Sequence, residues 1–143
     1  MFHQLFHRKK NYKALQLKAG GPSSIDGRGV FAQINFKPGQ LIEEAPVIAM
    51  NDNERDLLRN SSMHSYYFLV NNSKTSVVMA LGYASLYNHA GEANAVYSIN
   101  LSQLTISIKA CKRISAGDEI TINYNGTPDD LSPVYFSNTK CVQ

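Results

Sequence analysis

Apolar and polar residues alternate with a period of two along much of the chain, which is the pattern of half-buried β-strands. The clearest case is the run in which Leu104, Ile106 and Ile108 alternate with Thr105 and Ser107. The same alternation, or a short apolar run rich in β-branched and aromatic residues, predicts further strands. Strands are predicted near Leu15 and Leu17 and over 30–34, 41–50, 66–70, 77–81, 104–108 and 120–124. We therefore predict a mainly β fold.

Glycine, proline and asparagine separate these strands at positions typical of turns. Only one stretch favours a helix, over 52–60, where Asn51 or Asp52 caps the first turn and Leu57 and Leu58 form an apolar side. The predicted connections are the loop 20–24, the turns 37–39 and 115–118, and the hairpin connection 71–74.

The length and composition fit a single folded domain. The chain has 143 residues, of which 43% are hydrophobic, and this is enough to bury one core. We expect a basic N-terminal segment over 1–13, a folded domain over 14–126 and a C-terminal tail over 127–143. The basic start is not followed by an apolar run, so no signal peptide is predicted, and no stretch is long enough to span a membrane.

Charge and cysteine content argue against several kinds of partner. The formal net charge of +3, from 14 Lys and Arg against 11 Asp and Glu, is too small to predict nucleic-acid binding. Cys111 and Cys141 are too few for a four-cysteine zinc site, and the histidines lack ligand spacing, so no metal is expected. Without a secretion signal, two free thiols are favoured over a disulfide.

Three short motifs carry the functional signal. The first is Gly27-Arg28-Gly29-Val30-Phe31, which alone would be typical of a tight turn between strands. The second sets Asn88, His89 and Asn94 in a stretch rich in glycine and alanine, where clustered polar groups need hydrogen-bond partners. The third is Glu119-Ile120-Thr121-Ile122-Asn123-Tyr124. Each motif is weak alone, but their order and spacing together are specific.

On these motifs the chain resembles the SET-domain family of protein lysine methyltransferases. The resemblance runs over about 15–126 and is nearest to the compact SET proteins of large DNA viruses and bacteria. It implies a fold of several small curved sheets with short helices and a knot-like threading of the C-terminal strand. That threading would bring Asn88 close to Tyr124.

The resemblance also implies methyl transfer from S-adenosylmethionine to a lysine side chain of a protein or peptide. It makes Tyr124 and Tyr66 the catalytic residues. It assigns cofactor binding to Gly27, Arg28, Gly29, Tyr87, Asn88 and His89. Tyr67, Tyr83 and Tyr135 are expected to line the substrate channel, because dry aromatic walls suit a lysine that must lose its proton before it reacts.

The chain departs from the family pattern at several positions. The Ser, Cys and Pro that follow Asn-His in the family are Ala90, Gly91 and Ala93 here, and the Asp before the final tyrosine is Asn123. The cysteine-rich segment that normally closes the lysine channel is absent. We expect the tail, through Tyr135, to close the channel instead.

Several alternatives stay open on the sequence alone. The departures favour a second hypothesis, a SET module that binds S-adenosylmethionine or a peptide without turnover. A third hypothesis is an unrelated β-rich interaction domain. Histone tails are the family's commonest target, but a ribosomal or nucleoid protein fits an organism without histones. The protein could also form a homodimer. Its expected location is the cytoplasm or, for a virus- or pathogen-encoded protein, the host nucleus.

Overall fold

Short strands and one short helix form the structure, a computed structural model that describes residues 17–70, 76–128 and 130–134. In chain order the elements are β1 (Leu17–Pro22), β2 (Arg28–Ala32), β3 (Leu41–Met50), the helix α1 (Asp52–Leu58), β4 (Tyr67–Leu69), β5 (Val77–Ala80), β6 (Asn88–His89), β7 (Ala95–Asn100), β8 (Thr105–Ala110) and β9 (Glu119–Ile122). One turn of 3-10 helix, Ala84–Leu86, precedes β6. The predicted mainly β fold is confirmed.

The strands pair in one continuous path, β1-β2-β9-β7-β8-β3-β5-β4, with β6 added parallel to β9. Two strands, β3 and β9, each belong to more than one group of paired strands. β3 pairs with both β8 and β5, and β9 pairs with β2, β6 and β7. The path therefore consists of small groups of strands joined through β3 and β9, in agreement with the expected set of small sheets.

The core is made mostly of β-branched residues from β2, β8 and β9. Val30, Ile106, Ile108 and Ile120 are fully buried. Ile106 and Ile108 confirm the predicted inward face of β8. Leu104, however, lies before β8 with a left-handed backbone (φ +51°), so the prediction that this strand begins at 104 is wrong.

The first strand pair contains residues that were predicted to form a loop. β1 continues through Gly20 to Pro22 and pairs with β2, with a register shift between Ala19 and Gly21. Gly20 has a φ of +77°, which glycine adopts without strain. A Cβ on Gly21 would come within 3.0 Å of the Phe31 ring. The loop-type residues therefore form an irregular strand, because glycine allows both the bulge and the close packing.

The helix α1 is shorter than predicted and lies at the surface. Asn51 forms a reciprocal capping box with Glu54, which confirms one of the two predicted caps. The helix ends at Leu58 instead of residue 60, and Leu57 is 78% exposed, so the predicted apolar side is only partly buried. Along the part of the chain that the structure describes, no helix is long and apolar enough to cross a membrane.

The last strand ends two residues earlier than predicted. β9 stops at Ile122, and Thr121 is buried as well as Ile120 and Ile122, so both faces of the strand are covered. Tyr124 consequently lies in the turn after β9 instead of on its inward face. That turn is closed by a hydrogen bond of 3.0 Å from Gly126 N to Asn123 O.

Candidate active site

The three motifs meet at the side chain of Glu119, at the start of β9. Its carboxylate accepts hydrogen bonds from Asn88 Nδ2 at 2.8 Å and from Ser23 Oγ at 2.9 and 2.8 Å. Asn88 Nδ2 also lies 3.0 Å from the carbonyl oxygen of Asp26 and 3.2 Å from that of Arg28. One amide group thus ties the glycine turn to β6 and β9.

The close approach of these groups explains one glycine of the first motif. A Cβ on Gly29 would overlap the Glu119 carboxylate and come within 3.3 Å of Asn88 Nδ2. Only glycine therefore fits at this position while the Asn88–Glu119 pair is in place.

Asn94 links the second and third motifs through the backbone. Its Oδ1 accepts from Thr121 N at 2.9 Å, and its Nδ2 donates to Glu119 O at 2.9 Å. The side chain thus pairs with β9 much as a neighbouring strand would. Asn94 therefore has a structural role, since both halves of its amide are used.

Tyr124 lies beside the Asn88 segment, as the resemblance implies. Its hydroxyl donates to the backbone carbonyl of Tyr87 at 2.9 Å, and its backbone N donates to His89 Nδ1 at 3.2 Å. The rings of His89 and Tyr124 lie 5.2 Å apart. Burial, with smaller contributions from Asp26 and Tyr66, raises the pKa of Tyr124 to about 12, so the phenol is neutral at neutral pH.

His89 is held as the neutral imidazole. Because Nδ1 accepts a hydrogen bond from a backbone N–H, the ring proton of the neutral form lies on Nε2. Partial burial lowers the pKa of His89 below its usual value. Both effects favour a neutral histidine with a positioning role.

A cleft of about 700 Å³ opens next to Tyr124. Its walls are rich in phenol rings, contributed by Tyr66, Tyr67, Tyr87, Tyr97 and Tyr124. Tyr87 and Tyr124 belong both to this cleft and to the hydrogen-bonded junction of the three motifs. The junction and the cleft are therefore adjacent parts of one site.

The SET-domain family model matches residues 27–125, which is most of the chain. The chain belongs to the SET-domain family. No curated protein sequence matches it. Among solved structures, a proposed histone methyltransferase of Plasmodium falciparum is 29% identical, with a TM-score of 0.62 over 76% of this chain and 92% of that one.

Polycomb repressive complex 2 of Chaetomium thermophilum shares the fold at lower identity. Its structure with H3K27me3 and H3K27M is 23% identical (TM-score 0.63, 76% of this chain, 14% of that one). Its autoinhibited form bound to S-adenosylmethionine is 24% identical (TM-score 0.62, 78% of this chain, 15% of that one). The SET domain described here therefore corresponds to a small part of those longer chains.

The structure divides the sequence-predicted site residues of this SET domain into two groups. Tyr66, Tyr67, Tyr87 and Tyr124 line the cleft. Gly27, Arg28, Gly29, Asn88 and His89 lie at the junction, outside the cleft lining. Tyr83 joins neither group, because its half-buried ring packs against the core. Tyr135 lies outside the described residues, although Pro133 and Val134 just before it line the cleft.

Two residues near the cleft have contacts that the sequence did not predict. Tyr97 lies in β7, a strand that was not predicted because its side chains are only partly buried. Glu43 lies in β3, where Oε2 accepts from the Tyr87 hydroxyl at 2.8 Å and Oε1 accepts from Tyr83 N at 2.8 Å. Burial raises the pKa of Glu43 above its usual value. No local pattern marks Glu43, since both partners are distant in sequence.

The departures from the SET motif have a structural explanation. Asn123 is buried, and its Nδ2 donates to the carbonyl oxygens of Asp130 at 2.7 Å and Gly91 at 3.3 Å. A Cβ on Gly91 would come within 3.0 Å of the Leu131 side chain. Ala93 N donates to Pro128 O at 3.3 Å. These positions therefore suit the packing of Pro128, Asp130 and Leu131 against the segment after His89.

The junction also offers groups that fit S-adenosylmethionine, the methyl donor used by SET methyltransferases. Asn88 Oδ1 accepts no hydrogen bond from the described residues, so it can accept one from the cofactor's ammonium group. A Cβ on exposed Gly27 would meet nothing within 4 Å, which leaves the backbone open to close approach. Within the described ranges, no group of three or more His, Cys, Asp and Glu side chains could hold a metal ion.

Proposed function

We propose that this protein is an S-adenosylmethionine-dependent protein lysine N-methyltransferase. The observation that carries the proposal is the hydrogen bond from Tyr124 to Tyr87, which joins the tyrosine-lined cleft to the junction of the three SET motifs. A bound cofactor would supply an electrophilic methyl group at the junction. The lysine side chain would enter through the cleft and meet this methyl group from the side away from the junction.

The cleft suits a lysine that must react as the neutral amine. At pH 7, removal of the proton from an ordinary lysine costs about 4.6 kcal/mol, from a pKa of about 10.4. An apolar, aromatic enclosure disfavours the ammonium form through desolvation, yet the ring faces still accept a cation on entry. No Asp or Glu is among the described residues that line the cleft, so none stabilises the ammonium there.

Tyr124 has the geometry of a positioning group. Its hydroxyl hydrogen is committed to the Tyr87 carbonyl, so the hydroxyl oxygen is left as an acceptor at a fixed place. Such an oxygen can accept a hydrogen bond from the amine or a weak C–H···O contact from a methyl group. Fixing the reacting groups in line supplies much of the acceleration in a displacement of this kind.

The substrate is proposed to be a lysine in a protein or peptide. The names of the structural relatives make histones the first proteins to test. The module without turnover is disfavoured, because the residues that depart from the motif contact Pro128, Asp130 and Leu131. They leave the contacts of Tyr87, Asn88 and Tyr124 in place.

The test is transfer of labelled methyl from S-adenosylmethionine to core histones and to a cell lysate, followed by mass spectrometry of the labelled protein. Label on a lysine that depends on Tyr124 is the expected result. Cofactor binding by calorimetry with no transfer to any protein would favour the module without turnover. Absence of both binding and transfer would contradict the proposal.

A further inference from the structure

One wall of the cleft is cationic. Arg55 in α1 and Arg59 just after α1 both line the cleft, and so does His64. The described residues of the cleft lining include no carboxylate. A ligand in this cleft therefore meets two guanidinium groups and an array of phenol rings.

Arg55 is the more enclosed of the two arginines. Its side chain is 12% exposed, against 54% for Arg59. Arg55 Nε is buried and has no hydrogen-bond partner among the described residues. The one described carboxylate within ion-pair distance is that of Asp56, whose Oδ1 lies 3.6 Å from Arg55 Nη2 and 3.5 Å from Arg59 Nε.

Asp56 is a weak partner for so enclosed a cation. It is 59% exposed, it does not line the cleft, and a single oxygen is shared between the two arginines. Exposed ion pairs of this kind contribute little, whereas a largely buried charge with few partners is costly. A guanidinium also has five N–H donors in a fork that matches a carboxylate. Arg55 thus has unused capacity for an anionic ligand.

We propose that Arg55, supported by Arg59, is a carboxylate-binding site of the cleft. The proposal rests on the proposed function, in which the cleft receives the substrate, so the carboxylate is that of an Asp or Glu side chain next to the target lysine. The amino-acid end of S-adenosylmethionine is the competing source, which the experiment distinguishes. The chemistry of the contact is the same in both cases. A substrate carboxylate at this wall would favour lysines in an acidic context over those in the Lys- and Arg-rich context of a histone tail.

The variant Arg55→Met tests the site, because methionine keeps an apolar stem and removes the guanidinium. Arg113→Met is the matched control, since Arg113 is exposed and does not line the cleft. Arg55→Lys keeps the charge without the fork and guards against a folding defect in the methionine variant. The melting temperature of each protein is recorded without ligand.

Two arms distinguish the sources. In the first arm, calorimetry compares the affinities for S-adenosylmethionine and for its decarboxylated analogue. In the second arm, the rate of methylation is compared between peptides that have Asp or Asn beside the target lysine. Loss of about tenfold in affinity for S-adenosylmethionine alone identifies the cofactor, on the scale of one charge-assisted contact. Loss of a preference for the Asp peptide, with cofactor affinity unchanged, identifies the substrate.

A third arm does not depend on the proposed function. Acetate is titrated against chloride at equal ionic strength while the Nε–H resonances of the arginines are followed by NMR. A saturable shift at Arg55 and none at Arg113 supports the site. No acetate-specific shift, with unchanged cofactor affinity and peptide preference in Arg55→Met, overturns it. Failure of the proposed function appears separately, as absence of methyl transfer by the wild-type protein.

Discussion

The Tyr87 hydroxyl donates a hydrogen bond of 2.8 Å to the carboxylate of Glu43. The backbone carbonyl of the same tyrosine accepts the hydroxyl of Tyr124 at 2.9 Å. Two hydrogen bonds therefore connect a half-buried acid in β3 with the proposed reacting centre. The position of Tyr124 depends on Tyr87, and the position of the Tyr87 ring depends on Glu43.

Replacement of Tyr87 by phenylalanine tests the first of these bonds. Tyr87→Phe keeps the ring but leaves Glu43 with the Tyr83 backbone N as its hydrogen-bond donor among the described residues. We expect the free energy of unfolding to fall by about 1.5–3 kcal/mol, the range for hydrogen bonds to charged groups. Urea unfolding measures this value. A stability equal to that of the wild type would mean that the bond contributes nothing net.

Glu43 also predicts a dependence of stability on pH. Burial, the largest cause, raises the pKa of Glu43, and the hydrogen bonds from Tyr83 and Tyr87 oppose the rise. The folded protein thus holds this proton more tightly than the unfolded chain does. The resulting stabilisation is full below the unfolded value of 4.5 and is lost as the pH rises through the folded value.

Glu43→Gln removes this titration and serves as the reference. The difference in unfolding free energy, wild type minus variant, should fall as the pH rises above about 4 and then level off. Urea unfolding of both proteins across this range measures the difference, in which the titration of other groups cancels. A difference that rises with pH would show that Glu43 has a depressed pKa instead.

Tyr124→Phe removes the hydroxyl that is proposed to position the reacting groups. We expect turnover to fall by roughly tenfold to a thousandfold, or about 1.4–4 kcal/mol of barrier. Stability should change by about 1 kcal/mol, and cofactor affinity should change little because the loss is felt mainly in the transition state. Tyr83→Phe is the comparison, since Tyr83 does not line the cleft. Equal turnover in the two variants would make Tyr124 structural.

Asn88→Ala should affect both stability and the cofactor. Alanine removes the Nδ2 hydrogen bonds to the half-buried Glu119 carboxylate and to the exposed carbonyl oxygens of Asp26 and Arg28. The expected cost is about 1–3 kcal/mol, the scale of a few hydrogen bonds of which one is to a charged group. Affinity for S-adenosylmethionine should weaken by a similar amount, because the glycine turn loses its support. Melting temperature without cofactor and calorimetry with it measure the two effects. Unchanged affinity would remove Asn88 from the cofactor site.

Asn123→Asp restores the residue that the family motif has at this position, and we expect it to destabilise this protein. An ionised carboxylate cannot donate to the carbonyl oxygens of Gly91 and Asp130. The expected loss is about 1–3 kcal/mol at neutral pH, and it should shrink in acid as the carboxyl gains a proton. Urea unfolding at two pH values checks both parts. A stabilised variant would contradict the explanation of this departure.

The alternation of apolar and polar residues, together with turn residues, predicted the strands that have a clear local pattern. The bounds of β3, Leu41–Met50, match the predicted strand because a largely apolar run lies between the turn 37–39 and the helix cap Asn51. β7 was missed because its alternation is short: only Tyr97 and Ile99, both partly buried, alternate with the exposed Ser98 and Asn100. The strand gains its partners from β8 and β9, which single-sequence periodicity does not reveal.

The candidate site was predictable only where the resemblance supplied it. Tyr124 and Asn88 could be identified because they belong to the family motifs. Glu43 and Arg55 could not, because their importance comes from burial and from partners that only the fold brings close. Propensity and periodicity contain no information on such contacts. Asn88 Nδ2 likewise binds carbonyl oxygens that are far away in the sequence: Asp26 is 62 residues from Asn88, and Arg28 is 60.

Among the described strands β9 is the last to leave the ribosome, and it pairs with strands from both the first and the second half of the chain. Until it has emerged, β2 lacks its inner neighbour and buried residues such as Val30 have no cover. Long-range pairing of this kind folds slowly and leaves apolar surface exposed to aggregation meanwhile. Until β9 has emerged, the nascent chain should therefore depend on chaperones, and a stop codon before 119 should yield insoluble protein instead of a weak enzyme.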